Sequence, residues 1–91
     1  MNDLRAWLAR LIRELADDEQ TAIPLDPATV GVLLRIARDV AHGSERLNAP
    51  LSTYVAGRYV ANRVAAGADE AAAIAEVEQA VKRVLAEDAS A

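Results

Sequence analysis

The sequence predicts an all-α fold, a small antiparallel four-helix bundle in a single domain. Four segments carry apolar residues at the helical i, i+3, i+4, i+7 spacing, and no segment shows the alternation of a half-buried strand. The links between them are short and polar, as in bundles whose neighbouring helices run antiparallel. With 91 residues and 53% hydrophobic content, there is material for one core and none for a second domain.

The first helix is expected over residues 3–16, with Asn2 or Asp3 as its cap and Leu4, Trp7, Leu8, Leu11, Ile12 and Leu15 forming an unbroken apolar stripe. Its other face carries Arg5, Arg10, Arg13 and Glu14. The acids Asp17, Asp18 and Glu19 suit the negative end of a helix poorly and place its end near Ala16. Residues 21–25 form an extended connector, because Pro24 disfavours helical backbone at Ile23. Asp26 followed by Pro27 then reads as a cap and a first helical residue, and Leu25 with Val30 has the spacing of a hydrophobic staple.

The second helix is expected over 27–42, with Val30, Leu33, Leu34, Ala37 and Ala41 as its inner stripe, Ile36 and Val40 widening it, and Gly43 ending it in left-handed backbone. A polar corner, residues 44–50, leads to a third helix over 51–66 that passes through Tyr54, Val55, Tyr59, Val60, Ala61 and Val64 to a second terminal glycine, Gly67. Asp69 caps a fourth helix over 70–87, with Ile74, Val77, Val81, Val84 and Leu85 inward and Glu76, Glu78, Lys82 and Arg83 outward. Fraying is expected after Glu87. Gly57 and the abundant Ala of the last two helices allow close helix approach, but they leave the core thin in large side chains. A protein partner or a homodimer would complete the burial.

Composition narrows the function. The chain has no Cys, which excludes disulfides, thiol catalysis and Cys-ligated metals and fits a cytoplasmic protein. No stretch approaches the ~20 apolar residues of a membrane span, and the N-terminus has no targeting pattern. The net charge is −4, yet residues 30–68 hold five Arg against two acids. An acidic chain with a basic middle argues against nucleic-acid binding, which needs a continuous cationic footprint, and permits a local site for an anion or an acidic partner.

The candidate binding residues lie in that middle. Arg35, Arg38, Asp39 and His42 share one face of the second helix, at i, i+3, i+4 and i+7. A polar stripe of this kind also reads as an ordinary solvated face, and His42 as a cation suited to a helix end. Arg46 follows in the corner. Tyr54, Arg58 and Asn62 interrupt the apolar face of the third helix, so Arg58 must reach water, pair with a carboxylate such as Asp39, or meet a ligand. One His with one Asp is an incomplete metal set, and no cofactor is implied. Nor can a nucleophile, base and orienting group be assembled, and the four Gly are isolated rather than forming a phosphate loop, so no enzymatic activity is expected.

The run Leu34-x-x-Ala37-Arg38-Asp39-Val40-Ala41-His42-Gly43, then Arg46, Ala49-Pro50-Leu51-Ser52-Thr53-Tyr54 and Gly57, resembles an uncharacterised small helical domain family of high-GC bacteria. Leu4-x-x-Trp7-Leu8 also fits. Members of that family occur alone or appended to molybdenum-cofactor guanylyltransferase-like nucleotidyltransferase domains. The resemblance covers the first two thirds of the chain and departs at Leu47-Asn48, where the family tends to have Pro and a small residue, and at Asn62. It implies a non-enzymatic accessory module in molybdenum-cofactor maturation or molybdoenzyme supply, meeting a nucleotidyltransferase, a molybdoenzyme component or an anionic cofactor through the corner between helices two and three. The alternatives are a structural, self-associating helical domain with no ligand, and a regulatory subunit of an enzyme with His42 as its acid–base group.

Overall fold

The computed structural model describes residues 4–15 and 26–90. They form four α-helices: α1 (Leu4–Leu15), α2 (Pro27–Gly43), α3 (Asn48–Ala65) and α4 (Glu70–Ser90). The fold is all-α, with no strand among the described residues. The caps at Asn2 or Asp3, the connector around Pro24 and the staple through Leu25 lie outside the described residues.

Most helix ends have the local cause that the sequence suggests. Asp26 is extended, and its Oδ1 accepts from the Thr29 backbone N–H at 2.9 Å, with Pro27 opening α2. Gly67 has φ of 100°. Around it the Ala68 N–H donates to the Arg63 carbonyl and the Gly67 N–H to the Val64 carbonyl, both at 2.9 Å, the two bonds of a Schellman ending. Asp69 Oδ2 accepts from the Ala72 N–H at 3.1 Å and caps α4. That helix runs on to Ser90, past the fraying point expected at Glu87.

Two boundaries differ from expectation. α3 begins at Asn48 rather than near residue 51. Pro50 is then its third residue, a first-turn position whose N–H has no intrahelical acceptor, so the missing donor costs nothing there. The corner shrinks to residues 44–47. Ser44 holds it closed: its backbone N–H and Oγ both donate to the Val40 carbonyl, at 2.9 and 2.7 Å, and Asn48 Nδ2 donates to Ser44 Oγ at 3.2 Å.

Gly43 is the second difference, since positive φ among the described residues is confined to Gly67. Its role is close approach. A Cβ at Gly43 would stand 2.8 Å from Leu85 Cδ2, so the absent side chain lets α4 lie against the end of α2. The close approach expected at Gly57 does not occur; that residue faces solvent, with nothing within 4 Å of a Cβ placed there.

α2, α3 and α4 pack pairwise, whereas α1 packs against none of them among the described residues. Arg35 lies opposite Glu78 and Gly43 opposite Leu85, so α2 and α4 run the same way and α3 returns between them. The buried apolar set is small: Ile36 and Val40, Ala56, and Ala73 with Ile74. Ile36, 1% exposed, is the largest fully buried side chain, and the buried Ala56 and Ala73 are small enough for α3 and α4 to pack closely. The stripe expected to face inward on α2 is only half covered, with Leu34 exposed, because two helices rather than three pack on α2 and they converge on Ile36 and Val40. Val84, expected inward, and Val55 on the apolar face expected of α3 are likewise exposed.

The two glycines give opposite expectations. Gly57→Ala, in open helix surface, raises stability by ~0.5–1 kcal/mol. Gly43→Val drives a branched side chain into Leu85 and lowers it by ~1–3 kcal/mol. Urea unfolding of both variants beside the parent checks the pair; equal effects would show that Gly43 is not a contact position.

Candidate functional site

The polar residues singled out from sequence are placed as follows. Arg35, Arg38 and His42 are exposed along the outer face of α2, Asp39 is half-buried beside them, and Arg46 stands in the corner. Tyr54, Arg58 and Asn62 are exposed on α3. Four of the charged residues, Arg35, Arg38, Asp39 and Arg58, are engaged within the chain. Arg35 clamps Glu78 on α4 with two bonds, Nε to Oε2 at 3.1 Å and Nη2 to Oε1 at 3.3 Å. Arg38 Nη2 reaches Asp39 Oδ1 at 3.5 Å.

Arg58 donates to the Tyr54 hydroxyl at 3.3 Å, with its guanidinium carbon 6.0 Å from the ring centroid, the outer limit of a cation–π contact. Of the readings open for Arg58, the pairing with Asp39 does not form: Asp39 is taken by its neighbour Arg38, and Arg58 is exposed and held by Tyr54. The reason is orientation. Tyr54 and Arg58 stand two residues to either side of the buried Ala56, about half a turn round α3 from the side that packs.

The same corner opens into a groove of roughly 770 Å³. Val40, Ser44, Asn48, Leu51, Ser52, Val55, Ala56 and Tyr59 line it from α2 and α3, and Glu76, Val77, Ala80, Val81, Arg83, Val84, Leu85 and Asp88 line it from α4. None of the eight polar residues predicted as a site is among them. The walls are mostly aliphatic, and Leu51, Val55 and Val84 are each more than half exposed. Tyr59, Glu76, Arg83 and Asp88 are polar groups at its margin. Sequence periodicity missed this site by assigning Val55 and Val84 to the core; the usable signal was the Ala-rich character of α3 and α4, too small in side-chain volume to cover the larger residues around it.

Two carboxylates of α4 hold the groove's walls in place. Glu76 receives the Tyr59 hydroxyl at 2.6 Å and both Nε and Nη2 of Arg63 at 3.2 Å, tying α4 to α3. Hydrogen bonds from Arg63, then from Tyr59, hold the Glu76 carboxyl below the usual range. Its hydrogen bond in turn raises Tyr59 and Arg63. Glu78, with a side chain 15% exposed, ties α4 to α2. The Arg35 hydrogen bonds lower its carboxyl and raise the guanidinium. Among the described residues no three His, Asp or Glu side chains gather as a metal site, and no helix is long and apolar enough to cross a membrane.

A family model described as a domain of unknown function (DUF6457) matches residues 1–91, the whole chain. The chain belongs to the DUF6457 family. No curated protein and no solved structure matches it. In this DUF6457 domain the two carboxylate straps hold together the helices that bound the aliphatic groove.

The straps set a pH dependence with a definite sign. A carboxyl lowered in the folded state contributes stability above its unfolded pKa of ~4.3, and that contribution is lost as pH falls through the lower folded value. Thermal stability of the DUF6457 domain falls on acidification through this window, and the Glu76→Gln, Glu78→Gln double variant falls less steeply. At neutral pH Glu78→Ala lowers the melting temperature more than Asp39→Ala, because only Glu78 joins two helices. A scan of melting temperature against pH tests both statements.

Proposed function

We propose that this chain is a non-enzymatic accessory module that engages a protein through its α2–α3 corner by taking an amphipathic helix into the groove between α3 and α4. The observation that supports this is the exposure of Leu51, Val55 and Val84 around one concave, mostly aliphatic surface. A folded chain gains by covering such a patch, and a helix with apolar residues at i, i+3, i+4 and i+7 is the segment that fits a groove between two helices. Polar groups at the margin would fix its register. The basic residues Arg38, His42 and Arg46 stay exposed beside the corner and remain available to an acidic partner or an anion.

The finer reading is that the module serves molybdenum-cofactor maturation or molybdoenzyme supply, in company with a nucleotidyltransferase or a molybdoenzyme component. Its support is the resemblance of the Ala37–Gly43 and Ala49–Tyr54 motifs described above. Native mass spectrometry of the protein isolated gently from its own host tests both levels. A bound polypeptide, whether a second copy or another chain, that is released by Val55→Glu and by Val84→Glu is the expected result; binding unchanged in both variants would remove the groove from the interface. A nucleotidyltransferase or molybdoenzyme component among the bound chains supports the finer reading. Charge reversal at Arg38 and Arg46 is the matching test of the polar corner, which unchanged binding would exclude.

A further inference from the structure

α1 and the groove are two unpaired halves of one contact. α1 keeps Trp7 and Leu15 more than half exposed, with Leu11 exposed on the same stripe. Its 12 residues make a rod of ~18 Å. The α3 wall of the groove, Asn48 to Tyr59, has the same length. Charge agrees as well as shape. α1 carries three Arg and one Glu, whereas α4 carries five acids against Lys82 and Arg83. The last turn of α4 has no basic residue and ends beside Glu87 and Asp88, so carboxylates stand at the negative end of the helix dipole with nothing to offset them. Asp88 lines the groove there. A helix bearing Arg10 and Arg13 would relieve that repulsion where it docks.

We propose that the groove is filled by α1 of a second copy of this chain, the two copies exchanging α1 reciprocally to form a symmetric dimer. This names the helix that the groove receives and so rests on the groove reading of function. Leu15 and Asp26 are eleven peptide steps apart, up to about 36 Å of chain, yet in the single chain α1 packs on none of α2, α3 and α4. Exchange covers both unpaired surfaces of each copy at once, and the contact is self-complementary under a twofold axis. The dimer leaves Arg38, His42 and Arg46 outside the exchanged contact.

Trp7 is the only Trp in the chain, so its emission reports the environment of α1 directly. The test is a dilution series of the full chain followed by sedimentation velocity and Trp fluorescence. The expected result is a reversible dimer whose Trp emission is blue-shifted at high concentration and moves to the red as the dimer dissociates. Val84→Glu in the groove and Leu11→Glu on α1 each place an uncompensated charge in the contact and weaken dimerisation at least about tenfold. Both positions are exposed in the single chain, and far-UV circular dichroism verifies that the variants keep their helix content.

Three results would overturn the proposal: a monomer with blue-shifted emission at every concentration, which puts each α1 in its own groove; a dimer insensitive to both variants; and a monomer with red emission throughout. In the last case, release of a host partner by Val84→Glu would leave the groove reading of function standing.

Discussion

Among the described residues the buried core holds one fully enclosed large side chain, Ile36, together with two alanines, and the rest of the structure follows from that constraint. Ala56 on α3 and Ala73 on α4 are both buried, and their lack of bulk lets the helices pack closely. Close approach of this kind satisfies packing density with little apolar area, and hydrophobic stabilisation scales with area at roughly 25 cal/mol per Å². A core of five residues among those described, two of them Ala, is accordingly held together by more than its own burial. The carboxylates of Glu76 and Glu78 supply the complement. They stand two residues apart on α4 and reach opposite neighbours, Arg63 with Tyr59 on α3 and Arg35 on α2. One carboxylate fixes each helix pair, and both pairs meet at the small-residue seam.

The groove is a consequence of where those fixings end. Glu76 binds α3 and α4 together near Tyr59, while the half of α4 beyond it carries Val77, Val81, Val84 and Leu85 opposite the start of α3. There the contact that α4 keeps is with α2, through Leu85 seated on Gly43. α3 is left to turn at Ser44 and Asn48 without an α4 side chain to close on it, and the space between them opens. The polar corner motif is thus the hinge line of the cleft. Ser44, with its two bonds to the Val40 carbonyl, sets the angle at which α3 leaves.

How much of this could be read in the sequence depended on the range of the interaction. Asp26-Pro27, Gly67 and Asp69 were legible because a cap or a left-handed turn is decided within four residues by side-chain chemistry and backbone sterics. The start of α3 was not, because Pro50 is compatible with both an early and a late start. Faces were legible only in part. Periodicity identifies which residues share a side of a helix, but the direction of burial depends on how many helices arrive and from where. With α1 standing apart, the Val30–Leu34–Ala37 stripe lost its cover, and burial on α2 centred on Ile36 and Val40. Gly43 shows the same limit: its position at a helix end suggested a backbone role, whereas the contact that requires it comes from Leu85, 42 residues later in the chain.

The same reasoning separates the polar motif from the binding surface. Arg35 is occupied by Glu78, Arg38 by Asp39 and Arg58 by Tyr54, each of which satisfies its charge or its donors within the chain. Solvated or paired cations of this sort contribute little free energy to association, because water or a neighbour already does what a ligand would do. The aliphatic side chains around Leu51, Val55 and Val84 are in the opposite position, since nothing within α2, α3 or α4 can improve their surroundings and any apolar partner can. The apolar surface left to be covered in this fold therefore lies in the groove, and the polar residues around the corner are already solvated or paired. An amphipathic helix with a cationic outer face can cover that surface, and α1 is such a helix.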